Sequence, residues 1–269
     1  MKWLRSALVM IATCYITVLI ILWAFQSHFV YPAPQPRAAL TPGYEEVTLQ
    51  TADGLALRSF YRAAEKGLPT AVYFHGNGGT LQAASYSNAA FADAGFGVLM
   101  VEYRGYGGNS GNPSEAGFYR DGEAAMEWLF AQGLSATEIV IVANSIGGGV
   151  GTEMALRYDP AALVLVAPFT SLPDAAQSNL WWLPARGLVR EQYDNAGKIT
   201  QLDMPVLIQH GTSDVVVPYE HGRALSQLAA DAEFQTFEGA GHGLSFTTRS
   251  QEARRDWILE QFEDAGGGR

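Results

Sequence analysis

A serine, an aspartate and a histidine occur in short motifs that have the local pattern of catalytic loops. Ser145 lies in Ala-Asn-Ser-Ile-Gly, between a run of β-branched residues and a stretch suited to a helix. A strand–serine–helix turn is so tight that the residues two before and two after the serine must be small, and Ala143 and Gly147 meet this requirement. The turn also exposes the hydroxyl at the positive end of the following helix. The pattern therefore predicts a nucleophilic serine.

Asp214 and His242 each follow a strand-like run. Asp214 lies just beyond the apolar run 206–209, and His242 follows the run 234–237 in Gly-Ala-Gly-His-Gly. Open α/β sheets place catalytic groups beyond the carboxyl ends of their strands. The order Ser145, Asp214, His242 is the nucleophile–acid–base order of hydrolases built on such a sheet. We expect the three side chains to meet there, with Asp174 as the alternative acid because many loop aspartates only form turns.

The segment Val-Tyr-Phe-His-Gly-Asn-Gly-Gly at 72–79 ends an earlier strand in glycines. Glycines let a backbone approach a ligand without an intervening Cβ. In this position the N–H of Asn77 is expected to pair with the N–H of Ile146 and bind a developing oxyanion. His75 precedes the turn and is interpreted as shaping the loop. The alternative is an ordinary glycine-rich connection between a strand and a helix.

The elements around these motifs predict one domain with a mostly parallel central sheet flanked by helices. Asp53-Gly54 is a two-residue hairpin turn between strands at 46–51 and 55–61. Strand-like and helix-like stretches then alternate, which is typical of parallel sheets covered on both faces. Further strands are expected at 71–74, 97–103, 139–143, 163–166, 206–209 and 234–237. Helices are expected at 81–94, 115–131, 147–158, 220–230 and 250–262.

Taken together, the motifs resemble the α/β-hydrolase family over about residues 44–257. They most resemble its N-terminally anchored serine hydrolases and their serine-aminopeptidase-like relatives. The resemblance rests on HGNGG at 75–79, EYRGYGGNSGNPSE at 102–115, ANSIGG at 143–148, HGTSDVVVP at 210–218 and GAGH at 239–242. It implies the α/β-hydrolase fold and the catalytic and oxyanion roles given above, with Arg104 and Tyr106 in a structural turn. Ala143, Asn144 and Glu102 stand where Gly, Arg and Asp are more usual.

This resemblance implies hydrolysis of a carboxylic ester or thioester through an acyl-enzyme. A peptidase or amidase of the same fold and a non-catalytic anchored binding module remain alternatives, whereas dehalogenase chemistry would need a carboxylate in place of Ser145. No cofactor or metal is expected, because the chain has no H-E-x-x-H motif and residues 147–151 lack the Lys-Ser/Thr of a phosphate loop. The net charge of −10 argues against a nucleic-acid partner.

A connection of about 37 residues between two predicted strands is long enough to form a lid at 168–204. Trp181 and Trp182 lie in it and are candidates for contact with an acyl chain. The alternative is that they simply pack short helices against the domain. An apolar lid close to a bilayer favours a lipid-derived or acylated substrate, and a small ester or a peptide remains open.

The first 30 residues predict a transmembrane signal anchor. Residues 7–25 carry no charge and, as a helix, span about 28 Å, close to the thickness of the hydrocarbon layer. Lys2 and Arg5 precede the span, so the positive-inside rule places the N-terminus in the cytoplasm and the rest in the periplasm or outside the cell. A cleaved signal peptide is the alternative. A proline-rich linker at 31–43 then leads to a hydrolase domain at 44–269.

We expect alkaline phosphatase fused to the C-terminus of the chain to be active, because the enzyme needs disulfides that form only after translocation. The measurement is phosphatase activity in whole bacterial cells. An inactive fusion that is nevertheless present in the membrane would contradict the predicted topology.

Overall fold

The apolar runs of the sequence form the centre of an eight-stranded sheet. The computed structural model describes residues 2–266; Met1 and 267–269, at the ends of the predicted anchor and hydrolase domain, lie outside the described residues. The strands are β1 (Glu45–Gln50), β2 (Ala56–Arg62), β3 (Thr70–Phe74), β4 (Gly97–Val101), β5 (Ile139–Asn144), β6 (Ala162–Val166), β7 (Val206–Gly211) and β8 (Ala232–Phe237). Their order is β1-β2-β4-β3-β5-β6-β7-β8. β2 pairs antiparallel with β1 and β4, and all other pairs are parallel.

Helices flank this sheet, as the sequence predicts, and one long, mostly exposed helix precedes it in the chain. They are α1 (Lys2–Val30), α2 (Leu81–Ser87), α3 (Ala89–Asp93), α4 (Glu115–Ala131), α5 (Gly147–Tyr158), α6 (Leu172–Asn179), α7 (Ala185–Leu188), α8 (Asn195–Ile199), α9 (Tyr219–Leu228) and α10 (Thr248–Gly266). The expected single helix at 81–94 is two helices. They meet at Asn88, whose side-chain amide donates to the carbonyl of Ala84 at 2.8 Å and competes with the backbone ladder.

The parallel strands have cores on both of their faces. Every residue of β3, β4, β5 and β6 is buried. Because side chains alternate across a strand, Ile141 faces one core and Val140 and Val142 face the other. Two-sided burial of this kind is why these strands read as continuous apolar runs. The carboxyl ends of β5, β7 and β8 consequently lie along one edge of a rigid sheet, where each is followed by one of the motifs described above.

A buried ion pair fixes the loop that follows β4. The Nε of Arg104 donates to Oδ1 of Asp121 at 2.8 Å, and its Nη1 donates to Oδ2 of Asp53 at 2.8 Å. The backbone N–H of Arg104 also donates to Asp121, whose carboxylate is fully buried in α4. The loop is thereby attached both to α4 and to the turn between β1 and β2. This matters for the site because the loop carries Tyr106.

We expect Asp121→Ala to lower the free energy of unfolding by about 3–5 kcal/mol, because it leaves the guanidinium of Arg104 buried with only part of its partners. The matched control is Arg120→Ala. Arg120 also pairs with Asp53, but its side chain is 48% exposed, so its loss should cost less than about 1 kcal/mol. Urea unfolding of the detergent-solubilised chain measures both values. Equal losses in the two variants would contradict a special contribution of the buried pair.

Candidate active site

The turn between β5 and α5 holds Ser145 in a strained conformation. Its φ is +54°, a region in which non-glycine residues are uncommon and cost about 1–3 kcal/mol. The N–H of Ser145 donates to the carbonyl of Val166 at 2.9 Å, which fixes the turn against β6. A Cβ on Gly147 would overlap the carbonyl oxygen of Phe74. The turn therefore forms only because α5 begins with a glycine.

Ala143 stands two positions before the serine, where glycine is more usual, and does not block the turn. An added Cβ on Gly151 would lie 2.7 Å from the methyl of Ala143. The chain thus accommodates the methyl by keeping a glycine in the facing turn of α5. Asn144, the second departure from the usual pattern, is buried with its side-chain oxygen unpaired among the described residues.

The structure brings Ser145, His242 and Asp214 together. The Nε2 of His242 lies 3.0 Å from Oγ of Ser145, and its Nδ1 lies 2.8 Å from Oδ2 of Asp214. Both distances are within hydrogen-bond reach, which proton transfer requires. The three residues follow β5, β8 and β7, respectively, so the parallel sheet aligns them at one edge. This arrangement can remove the proton from the serine hydroxyl and stabilise the resulting imidazolium.

Asp214 is held as a carboxylate with fixed geometry. Its Oδ1 accepts the backbone N–H groups of Val216 and Val217, each at 2.9 Å. Burial by itself would raise the pKa of Asp214, but the hydrogen bonds from His210, His242 and the N–H of Val217 outweigh it and hold the pKa well below its usual range. The carboxylate therefore stays ionised, and its Oδ2 lies 2.8 Å from Nδ1 of His242 and 3.4 Å from Nε2 of His210.

The alternative acid lies elsewhere. Asp174 is in the first turn of α6, where its Oδ1 pairs with Nε of Arg186 at 2.5 Å and its Oδ2 accepts the hydroxyl of Ser171 at 2.8 Å. Its carboxylate is thus occupied within the lid. Of the two candidate acids, the geometry places only Asp214 against His242.

Asn77 and Ile146 lie beside the nucleophile. Among residues 2–266, neither backbone N–H donates to another protein group. Asn77 and Ile146 line the same cavity as Ser145. The hydroxyl of Tyr106 donates to the carbonyl of Asn77 at 2.8 Å, which orients the peptide of this loop. The two N–H groups are thus available for an oxyanion.

His75 takes no part in this proton path. It is buried, and its Nε2 lies 3.0 Å from Oε1 of Glu102. The second carboxylate oxygen of Glu102 accepts the N–H of Leu81 at 3.3 Å. This pair ties the end of β3 to β4 and to the start of α2, so His75 shapes the loop, as the sequence predicts. Glu102 makes these contacts where an aspartate is more usual.

Two cavities flank Ser145. The larger, of about 450 Å³, is mostly apolar and lies under the lid; the smaller, of about 210 Å³, lies beside His242. Ser145 and Asn77 line both. From the lid segment 180–183, the larger cavity is lined by Leu180 and Leu183. Trp181 and Trp182, the residues predicted to contact a substrate, line neither of these two cavities and are 81% and 48% exposed.

Sequence reasoning missed two sets of residues at this site. The first is the end of α1: Leu22, Trp23, Gln26, Phe29 and Val30 line the larger cavity. The sequence did not indicate this role, because an apolar helix of this length predicts only a membrane span. The second set consists of residues that contact the predicted site residues: the hydroxyl of Tyr106 donates to Asn77, and the ring of His210 lies beside Asp214. Both residues lie in quoted motifs, but no spacing rule shows what their side chains touch.

Comparisons with known proteins agree with this architecture. A family model described as the alpha/beta hydrolase fold matches residues 69–190. An uncharacterized protein of Mycobacterium tuberculosis is 34% identical over 234 residues, which are 84% of this chain and 83% of that protein. The human alpha/beta hydrolase domain-containing protein 17B is 32% identical over 193 residues, which are 68% of this chain and 63% of that protein.

Solved structures show the same fold. The esterase Pf2001 of Pyrococcus furiosus has a TM-score of 0.70 at 17% identity and covers 86% of this chain and 97% of its own. Est1E of Butyrivibrio proteoclasticus, solved with ferulic acid bound, has a TM-score of 0.66 at 19% identity and covers 81% of this chain and 99% of its own. The chain belongs to the α/β-hydrolase family and has the fold of that family.

We expect Gly147→Ala to destabilise the protein by about 3 kcal/mol or more, because the new methyl meets backbone rather than a movable side chain. Gly148→Ala is the matched control. An added Cβ there has its nearest neighbours at 3.7 Å, so the substitution should be neutral or stabilise the helix by up to about 1 kcal/mol. Urea unfolding separates the two. Similar stabilities in the two variants would show that the close approach of α5 to β3 is not a constraint.

Proposed function

We propose that this chain is a serine hydrolase that cleaves carboxylic esters or thioesters through an acyl-enzyme. Ser145 is the nucleophile, His242 the general base and acid, and Asp214 the group that orients the imidazole. The observation that carries the proposal is the unbroken sequence of hydrogen bonds from Oγ of Ser145 through His242 to Asp214, at 3.0 and 2.8 Å. The buried, ionised Asp214 fixes the tautomer of His242, because it accepts a hydrogen bond from Nδ1–H and leaves Nε2 free to accept the proton of Ser145.

In the first half of the reaction, Oγ of Ser145 attacks the substrate carbonyl carbon while its proton moves to Nε2 of His242. The carbonyl oxygen becomes an oxyanion that accepts hydrogen bonds from the N–H groups of Asn77 and Ile146. Each such donor contributes about 2.7–4 kcal/mol in enzymes where one has been removed. Collapse of the tetrahedral intermediate breaks the bond to the alcohol or thiol, which leaves with the proton from His242.

In the second half, water attacks the acyl-enzyme. His242 takes one proton from the water, and a second oxyanion forms at the same donors. Its collapse releases the carboxylic acid and returns the proton to Oγ of Ser145. The two cavities suit this scheme, because they flank the serine and can hold the acyl and leaving groups on opposite sides.

We also propose that α1 remains attached as a single-pass anchor, with the linker at 31–43 and the hydrolase domain on the translocated side. α1 is a long apolar helix that meets the requirements of a membrane anchor or a signal sequence. A contact from within α1 favours retention, because Nε2 of Gln26 donates to the carbonyl of Leu188 at 3.2 Å. The linker that follows is also attached to the domain. Tyr31 is buried and its hydroxyl lies 2.8 Å from that of Tyr193, and the carbonyl of Pro34 accepts the N–H of Gly107 at 2.9 Å.

The proposal is tested with a fluorophosphonate probe and paired substrates. We expect the wild-type chain to be labelled and to hydrolyse p-nitrophenyl esters faster than the matching p-nitroanilides, since an alcohol leaves more readily than an amine. Ser145→Ala should abolish labelling and reduce ester hydrolysis at least about 10³-fold, because subtilisin loses still more when its serine alone is removed. Faster hydrolysis of the anilides would identify an amidase or peptidase instead.

Ser178→Ala is the matched control. Ser178 also lies near a histidine, with Oγ 3.2 Å from Nε2 of His221, but it is in the last turn of α6 and not at a strand–helix turn. Its replacement should leave labelling unchanged. Labelling that persists in Ser145→Ala, or folded wild-type protein that cleaves no ester from acetate to palmitate, would contradict the proposed function.

A further inference from the structure

The end of α1 closes one side of the larger cavity. Leu22, Gln26 and Phe29 face it from α1, and Leu183 and Leu188 face it from the lid. The cavity therefore extends from Ser145 to where the lid meets the helix proposed as the membrane anchor. Its lining is almost entirely hydrocarbon, which suits an acyl chain and not a polar side chain.

Specific polar contacts hold α1 in this position. Gln26 is the buried residue of α1; its Nε2 donates to the carbonyl of Leu188 at 3.2 Å, and its Oε1 accepts the N–H of Arg190 at 2.8 Å. The guanidinium of Arg190 lies 5.0 Å from the ring centre of Trp23. On the other side, the side chain of Asn77 donates to the carbonyl of Val30 at 3.4 Å. The helix is thus attached to both the lid and the oxyanion loop.

The lid reaches down along α1. The hydroxyl of Tyr15 donates to the carbonyl of Trp182 at 3.2 Å. Tyr15 is ten residues before Phe25, the end of the uncharged run, which corresponds to about 15 Å along the helix. If α1 crosses the bilayer, the tip of the lid therefore lies within the hydrocarbon layer. The outward-facing tryptophans, 81% and 48% exposed, are then in contact with lipid rather than water.

Side-chain donors satisfy most of the backbone carbonyls of this tip. An unpaired carbonyl costs several kcal/mol in hydrocarbon. The carbonyl of Leu180 accepts Nε2 of Gln177 at 3.3 Å, and the carbonyl of Leu183 accepts the same amide at 2.9 Å. The carbonyl of Trp182 accepts the hydroxyl of Tyr15. Three of the four carbonyls of residues 180–183 thus accept a side-chain donor, and the exterior of this tip is apolar.

From these observations we propose that α1 and the lid tip, residues 180–183, form a membrane-embedded entrance through which the acyl chain of a bilayer-resident ester reaches Ser145. The inference rests on the proposed function and deepens it. The acyl chain lies in the larger cavity against Leu22 and Phe29, and the leaving group lies in the smaller cavity beside His242. The substrate class is therefore long-chain acyl esters or thioesters drawn from the membrane, and α1 is a wall of the binding site as well as an anchor.

The wall is tested with the full chain reconstituted in phosphatidylcholine vesicles. The measured quantity is the ratio of kcat/KM for p-nitrophenyl palmitate to that for the acetate. Leu22→Trp, which adds volume inside the cavity, should lower this ratio at least tenfold. Ile21→Trp is the matched control, since residue 21 is 49% exposed and outside the lining, and it should leave the ratio unchanged.

The outcomes separate this inference from the proposed function. Absence of hydrolysis of both esters in the folded wild type would overturn the proposed function itself. Acetate hydrolysis with the same palmitate-to-acetate ratio in Leu22→Trp and Ile21→Trp would leave the proposed function standing and overturn the wall. The acetate activity of each variant also reports whether it has folded.

The position of the entrance is tested by fluorescence quenching in vesicles whose acyl chains carry bromine, which quenches tryptophan only by contact. We expect Trp181→Phe to remove quenchable emission. Trp128→Phe should not, because Trp128 packs on Tyr61 between α4 and β2, with ring centres 4.8 Å apart. If the quenched emission is the same in Trp181→Phe and the wild type, the lid tip lies in water, and entry from the bilayer is wrong.

Discussion

The close approach of α5 to β3 is the constraint on which the rest of the site depends. Where Gly147 passes the carbonyl of Phe74 there is no room for a side chain, and the positive φ of Ser145 exists only because the chain must turn within that space. The strain is supported by burial on both sides of β5, since every residue of that strand is packed. The packed sheet thus holds Ser145 in a strained backbone conformation, which places its hydroxyl at the N-terminus of α5.

Much of the fold could be predicted from the sequence because most strands and helices are indicated by the residues within them. Continuous apolar runs identified the central strands, and the bounds of α4 and α5 agree with the predicted 115–131 and 147–158. Asn88 shows where such signals stop, because a side-chain amide that bonds to the preceding turn divides a helix whose apolar pattern continues. The order of the parallel strands followed from no local signal, since it depends on which crossovers pack together.

The site divides in the same way. Ser145, Asp214 and His242 could be named because each stands after a strand in a motif of small residues, and parallel strands bring such ends together. The part of the cavity wall formed by Leu22 and Gln26 could not be predicted. An apolar helix has no periodic pattern that distinguishes a face in contact with lipid from a face that lines a cavity. That Trp181 is exposed and does not line the cavity likewise depends on how the short helices of the lid pack. The sequence Leu180-Trp-Trp-Leu does not predict which of its side chains face the cavity.

The docking of Gln26 under the lid has a consequence for how the protein is handled. Expression without the first thirty residues, a common route to soluble material, removes one side of the larger cavity together with the partner of Leu188 and Arg190. The remaining domain would expose apolar surface to the buffer and would bind small esters without selecting among them. Substrate selectivity measured on such a fragment would describe a cleft that is open on one side. Its tendency to aggregate would result from the truncation and would not be a property of the intact protein.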